Sequence, residues 1–153
     1  MRLYLLRHGE AESRARSDAE RRLTALGTAE VRAVAAAAAA RLAGLQLVAS
    51  SPYQRARQTA AELLRTLGFA GELVMVPELT PAGRLHEVGA FVESCAAGEL
   101  LLVSHQPLVG ELLRELTDDD AAEPMATAHL AALELTAFAR GGARLLWRLR
   151  PPR

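Results

Sequence analysis

Leu3-Tyr4-Leu5-Leu6-Arg7-His8-Gly9-Glu10 passes from a short apolar run into a polar cluster with no spacer. A continuous apolar run of that length reads as a strand buried on both faces, the kind found in parallel sheets covered by helices. The arrangement returns three times. Val48-Ala49 leads into Ser50-Ser51-Pro52-Tyr53-Gln54-Arg55, Val74-Met75-Val76 into Pro77-Glu78-Leu79-Thr80, and Leu102-Val103 into Ser104-His105-Gln106-Pro107. In a parallel sheet the carboxyl ends of the strands share one edge, and ligands bind in the crevice outside it. His8 and His105, with at least Arg7 and Arg55, are therefore expected to converge there.

Between these runs the pattern becomes helical. Thr24 is placed to cap a helix from about Ala25 to Leu42, in which the alanine run Ala35 to Ala40 is a strong helix former. Strands are expected at Leu45 to Ala49, Leu73 to Val76 and Leu100 to Val103. Helices are expected from Tyr53 to Leu67, stopped by Gly68, from Gly83 to Ala97, and from Leu108 to Leu116. After a polar, acidic loop over Thr117 to Thr127, His129 to Ala137 and Ala143 to Leu149 read as closing strands around Arg140-Gly141-Gly142. The glycine pair favours a hairpin. Strand and helix alternation predicts a three-layer α/β/α domain, its sheet mostly parallel with helices on both faces. No linker, repeat or second core interrupts the pattern, so residues 1–153 are expected to form one domain.

Composition narrows the function classes. Half of the residues are apolar and 24 % are charged, which suits a folded core. A formal net charge of zero removes the electrostatic case for nucleic acid or an anionic membrane as the main partner. No apolar run approaches the roughly 20 residues needed to cross a bilayer, and the first is too short for a signal-peptide core. A cytoplasmic, monomeric protein is the expectation. Cys95 has no cysteine to pair with, and no Cys/His group has zinc-site spacing, so neither a metal nor another cofactor is expected. Asp118-Asp119-Asp120 reads as a solvated acidic loop, and His86 and His129 as surface or core residues. Every basic residue is arginine, which makes any single arginine near a motif weak evidence.

Two histidines and several arginines at one sheet edge suit a particular chemistry. Arginine forks match phosphate oxygens, and a neutral imidazole attacks phosphorus at neutral pH. Phosphoryl transfer asks for little more than an aligned nucleophile with positive charge around the equatorial oxygens. Acyl transfer fits poorly, because no G-x-S-x-G elbow is present.

Leu6-Arg7-His8-Gly9-Glu10 resembles the Arg-His-Gly signature of the histidine phosphatase superfamily, also called phosphoglycerate-mutase-like. Leu23-Thr24-Ala25-Leu26-Gly27 resembles its Leu-Thr-x-x-Gly segment. Ser51-Pro52 with Arg55, Arg57, Gln58 and Thr59 resembles its second motif, and Ser104-His105 its second histidine. Within the superfamily the chain looks most like the SixA-type phosphohistidine phosphatases, through Ser17-Asp18 with Arg21, Pro77-Glu78-Leu79-Thr80-Pro81, and His105 followed by Pro107-Leu108-Val109-Gly110.

The resemblance implies that His8 accepts the phosphoryl group, that Arg7 and Arg55 clamp its oxygens, and that His105 is a further donor to them. It also implies that Arg21 adds charge at the pocket mouth, that Gly9 lets phosphate approach the backbone, and that a backbone carbonyl holds the second His8 nitrogen. The motif favours Arg55 over Arg57. One departure matters: most superfamily phosphatases carry a glutamate two residues after the leucine that is Leu79 here, and this chain has Pro81. Glu78 and Asp18 are the substitutes to consider as proton donor. An imidazole leaving from phosphohistidine needs a proton far less than an alkoxide does, so the departure itself favours a phosphohistidine-bearing protein as substrate. The segments between strands look too short for a lid, which suits the same partner. A small phosphorylated molecule is the alternative substrate, and a catalytically idle phosphate- or phosphoprotein-binding module is the alternative of another class.

Overall fold

The computed structural model describes residues 1–152. Strand β1 (Arg2–Arg7) contains the run Leu3 to Leu6, whose side chains are at most 1 % exposed. It runs parallel to β4 (Glu99–Ser104) on one side and antiparallel to β5 (Leu130–Leu135) on the other. Strand β2 (Leu47–Ser50) lies parallel between β4 and β3 (Glu72–Met75), and β6 (Ala143–Leu149) pairs antiparallel with β5. The sheet order is β3-β2-β4-β1-β5-β6.

Alternate residues of the central strands feed two cores. Tyr4, Leu6, Leu101 and Val103 pack with α1 (Ala25–Ala38) and α2 (Gln54–Leu67) on one face. Leu3, Leu5, Leu100 and Leu102 pack with α3 (Leu85–Ser94) and α4 (Leu108–Thr117) on the other. Both faces are therefore dry, which is why the apolar runs show no alternation.

This topology makes the crevice. From β1 the chain moves through α1 to β2 and through α2 to β3, away from β1 along the sheet. It then returns over the opposite face through α3 to β4, and α4 carries it on to β5. Neighbours β1 and β4 thus send their chains off in opposite directions, leaving a gap at their carboxyl ends. Arg7 pairs with Ser104 in the register, so His8 and His105 emerge side by side.

Several boundaries differ from those expected. Helix α1 ends at Ala38 rather than Leu42, because residues 39–44 tighten into turns that bring Leu42 and Leu45 into the core. Strand β2 consequently begins at Leu47 rather than Leu45. Gly83 does not start α3: its N–H closes a turn on the Thr80 carbonyl, and the extended Arg84 and Cys95 bound the helix. Strand β5 stops at Leu135 because Thr136 and Ala137 both donate to the Gly142 carbonyl, closing the hairpin loop. The acidic loop is not simply solvated. Asp118 and Asp120, with Glu115, pair with Arg140 and pin that loop to the hairpin turn.

Candidate active site

The nucleophile candidate lies one residue beyond β1. The His8 N–H donates to the Ser104 carbonyl at 3.1 Å, and its own carbonyl accepts from Ala128. Its ring Nδ1 is 2.7 Å from the Gly9 carbonyl. Since a carbonyl only accepts, Nδ1 carries the proton and Nε2 carries the lone pair. Arg55 agrees with that assignment, since its Nε–H points at Nε2 from 3.3 Å. Two independent partners therefore set one tautomer, with its lone pair facing the arginine.

Arg55 sits on the first turn of α2, only 4 % exposed, while Arg57 on the same helix points to solvent. The choice between them follows from helical geometry. Each nitrogen of the Arg55 guanidinium has a partner: besides Nε, Nη1 donates to the Asp18 carbonyl at 2.7 Å and Nη2 to the Asp18 carboxylate at 3.2 Å. Arg7 gives Nη1 to the Met125 carbonyl at 3.1 Å, while its buried Nε has no partner among the described residues.

His105 follows β4, with its ring centroid 4.9 Å from that of His8. Its Nε2 lies 2.7 Å from the Ser51 Oγ, and the Tyr53 ring packs edge-on against it. The site thus holds His8, Arg7, Arg55 and His105 together.

Burial decides the charge state of both imidazoles. Desolvation, then the positive charges of Arg55, Arg7 and Arg21, push His8 down to about 4. Desolvation, then His8 and Arg55, push His105 down to about 3. Both rings are neutral at pH 7. A neutral His8 among cationic guanidiniums is a nucleophile beside an anion-attracting field.

The remaining expected residues divide. Arg21 donates to the Asp18 carboxylate at 2.9 Å, and its charge is felt at His8, so it belongs to the rim of the site. Asp18 is an anion shared between Arg21 and Arg55, which hold its carboxyl below the usual carboxylate range. That direction disfavours Asp18 as a proton donor and favours a holding role for it. Glu78 lies on the short turn Pro77–Leu79 after β3; among the described residues its carboxylate has no hydrogen-bond or ion-pair partner.

Gly9 also lets the neighbouring helix approach. A Cβ there would meet the Gly27 carbonyl at 2.8 Å and the Val31 side chain at 2.9 Å, so its bareness admits α1. Its N–H is taken by the Thr59 hydroxyl at 3.0 Å. The segments between strands, expected to be too short for a lid, nevertheless approach the site. Asp18, in the short turn Asp18–Glu20, lies over Arg55, and His8 keeps 6 % of its surface exposed. Sequence reasoning missed Ser51 and Thr59 as partners of the site. Both stand in the quoted second motif, but only the structure aims Ser51 at His105 and Thr59 at Gly9.

Comparison with known proteins fits this geometry. The chain is 31 % identical to the phosphohistidine phosphatase SixA of Escherichia coli K12, over 99 % of this chain and 94 % of that protein. It is 32 % identical to a SixA homologue of Haemophilus influenzae, over 76 % of this chain and 77 % of that one. A solved structure of the protein histidine phosphatase SixA complexed with tungstate superposes with a TM-score of 0.90 at 31 % identity, covering 99 % of this chain and 97 % of that one. Residues 3–88 match the histidine phosphatase superfamily (branch 1). Membership rests on both halves of that match, the motifs and the sheet that presents them: this chain belongs to the histidine phosphatase superfamily.

Proposed function

We propose that this protein removes the phosphoryl group from a phosphohistidine on a partner protein, in two steps through phospho-His8. The observation that carries the reading is the His8 tautomer. Nδ1–H is held by the Gly9 carbonyl, and Nε2 presents its lone pair to Arg55. In the first step Nε2 attacks phosphorus in line with the leaving imidazole nitrogen. Arg55 Nε–H exchanges its weak 3.3 Å bond to Nε2 for a phosphoryl oxygen, joined by Arg7 and His105. Positive charge around the equatorial oxygens is the main requirement of such a transition state. In the second step water takes the phosphoryl group from His8, and the same donors stabilise the same charge.

The substrate assignment follows from what stands where a strong acid is found in relatives. Pro81 cannot donate a proton, and Asp18 is held as an anion by two arginines. A departing imidazole tolerates that lack better than an alkoxide does. The narrow approach to His8 agrees, since a phosphohistidine carries its phosphoryl group at the tip of a slim side chain. SixA, the similar protein of known structure, was solved with tungstate, a tetrahedral oxyanion like phosphate.

The test is rapid quenching under alkaline conditions during turnover, followed by intact-mass analysis. One acid-labile phosphoryl group on the wild type, mapped to His8 and absent in His8→Ala, is the expected result. Turnover with no phosphoenzyme, or label on another residue, would end the proposal.

A further inference from the structure

His105 is 1 % exposed, and its two ring nitrogens have unlike surroundings. Nε2 meets the Ser51 Oγ at 2.7 Å, whereas Nδ1 is buried with no partner among the described residues. Ser51 is itself fully buried just past β2, and its Oγ already accepts the Tyr53 N–H at 3.2 Å. A serine hydroxyl has one proton to give. If the imidazole donated from Nε2, the Ser51 proton would find no acceptor and Nδ1 would hold a buried lone pair with no donor. Two groups would be left unsatisfied. If Ser51 donates to Nε2, its proton is used, and the imidazole proton moves to Nδ1. The count of donors and acceptors selects the second arrangement.

We propose that Ser51 is a positioning residue that fixes His105 as its Nδ1–H tautomer, so that a neutral imidazole offers a hydrogen-bond donor, not a lone pair, to the phosphoryl group at His8. The inference rests on the phosphoryl-transfer reading. A lone pair turned toward phosphoryl oxygens repels them, so the sign of the His105 contribution depends on a hydroxyl that touches no substrate. The neighbouring backbone supports the device. Ser51 N–H is anchored on the Val103 carbonyl of β4 at 3.0 Å, and the Tyr53 ring holds the imidazole from its edge at 5.3 Å. His8 has its proton set by a carbonyl; His105 has its proton set by a hydroxyl, with the opposite nitrogen left to work.

The experiment joins a spectroscopic and a kinetic readout. Long-range 1H–15N correlation spectra of the wild type at pH 7 should show His105 protonated at Nδ1, and Ser51→Ala should lose that single tautomer. Hydrolysis of phosphoramidate, a small phosphodonor, should fall about tenfold to a hundredfold in kcat for Ser51→Ala, within the range seen when one preorganised donor is lost. Ser51→Thr, which keeps the hydroxyl, should recover part of that loss. In a His105→Ala background Ser51→Ala should cost nothing further, a non-additivity that a purely structural role would not produce. An Nε2–H tautomer in the wild type, or an equal penalty in both backgrounds, would overturn the proposal. If Ser51→Ala does not fold, the wild-type tautomer still decides. Failure of the phosphatase reading is seen separately, as no phosphoramidate turnover by the wild type.

Discussion

An exposed imidazole with an ordinary pKa of 6.5 is about one-quarter protonated at pH 7, and that fraction cannot attack phosphorus. With His8 pushed down to about 4, the protonated fraction at pH 7 is about one in a thousand. The acid limb of kcat/KM that belongs to His8 should accordingly lie near pH 4. A titration of activity with its limb at 6.5 would contradict the burial argument. The same shifts bear on stability. His8 and His105 fold with pKa values below those of the unfolded chain, so the unfolded state binds more protons as the pH falls. Their stabilising contribution is complete above about pH 6.5 and disappears as the pH drops through about 4 and about 3. Urea midpoints at pH 7 and pH 4.5 should differ by on the order of a few kcal/mol in unfolding free energy; equal midpoints would count against it. Asp18 gives a third expectation. As an anion holding Arg55 and Arg21, it should cost Asp18→Asn the same factor for a phosphoramidate and an aryl phosphate. A penalty that grows with leaving-group basicity would make Asp18 an acid after all.

Helix α1 shows how an element can serve the site without touching substrate. Its first turn lies against Gly9 and Glu10, and a Cβ on Gly27 would come 2.1 Å from the Glu10 carbonyl. Gly27→Ala must push α1 away from the end of β1, an overpacking error worth about 1–3 kcal/mol, with activity lost as His8 shifts. Thermal denaturation alongside turnover checks both, and an unaffected variant would show that the contact is not held. The Thr24 cap is a gentler probe. Its Oγ1 accepts the Gly27 N–H at 3.0 Å, and Thr24→Ala should cost about 1 kcal/mol with kcat little changed. Element types were legible in the sequence because apolar runs and a Thr-capped helix announce themselves. The boundaries at Ala38, Leu85 and Leu135 were not, since each depends on a local turn that no periodicity announces. The turns that set them, such as Thr136 and Ala137 donating to the Gly142 carbonyl and Gly83 donating to the Thr80 carbonyl, leave no period in the sequence, and only the packed chain shows them.

For the molecule as a whole, the convergence of His8 and His105 was readable before any coordinates, from two apolar runs that each end in a histidine. Parallel pairing of β1 with β4 does the rest. What the pattern could not carry was the placing of Asp18 over Arg55, because a loop without periodicity has no period from which to read its path. Ser51 was invisible for a related reason: a serine in a motif has no direction until its neighbours are packed. The central position of β1 has a further consequence for the reaction cycle. A strand tied on both sides, to β4 and to β5, offers its terminal imidazole no hinge. The His8 ring is therefore held by sheet backbone, whereas the neighbouring Asp18 segment is held by the bonds of Arg55 and Arg21 to Asp18. Hydrogen exchange should find the amides of the exposed stretch 13–18 quick to open, while those of Leu3 to Leu6 are among the last to yield.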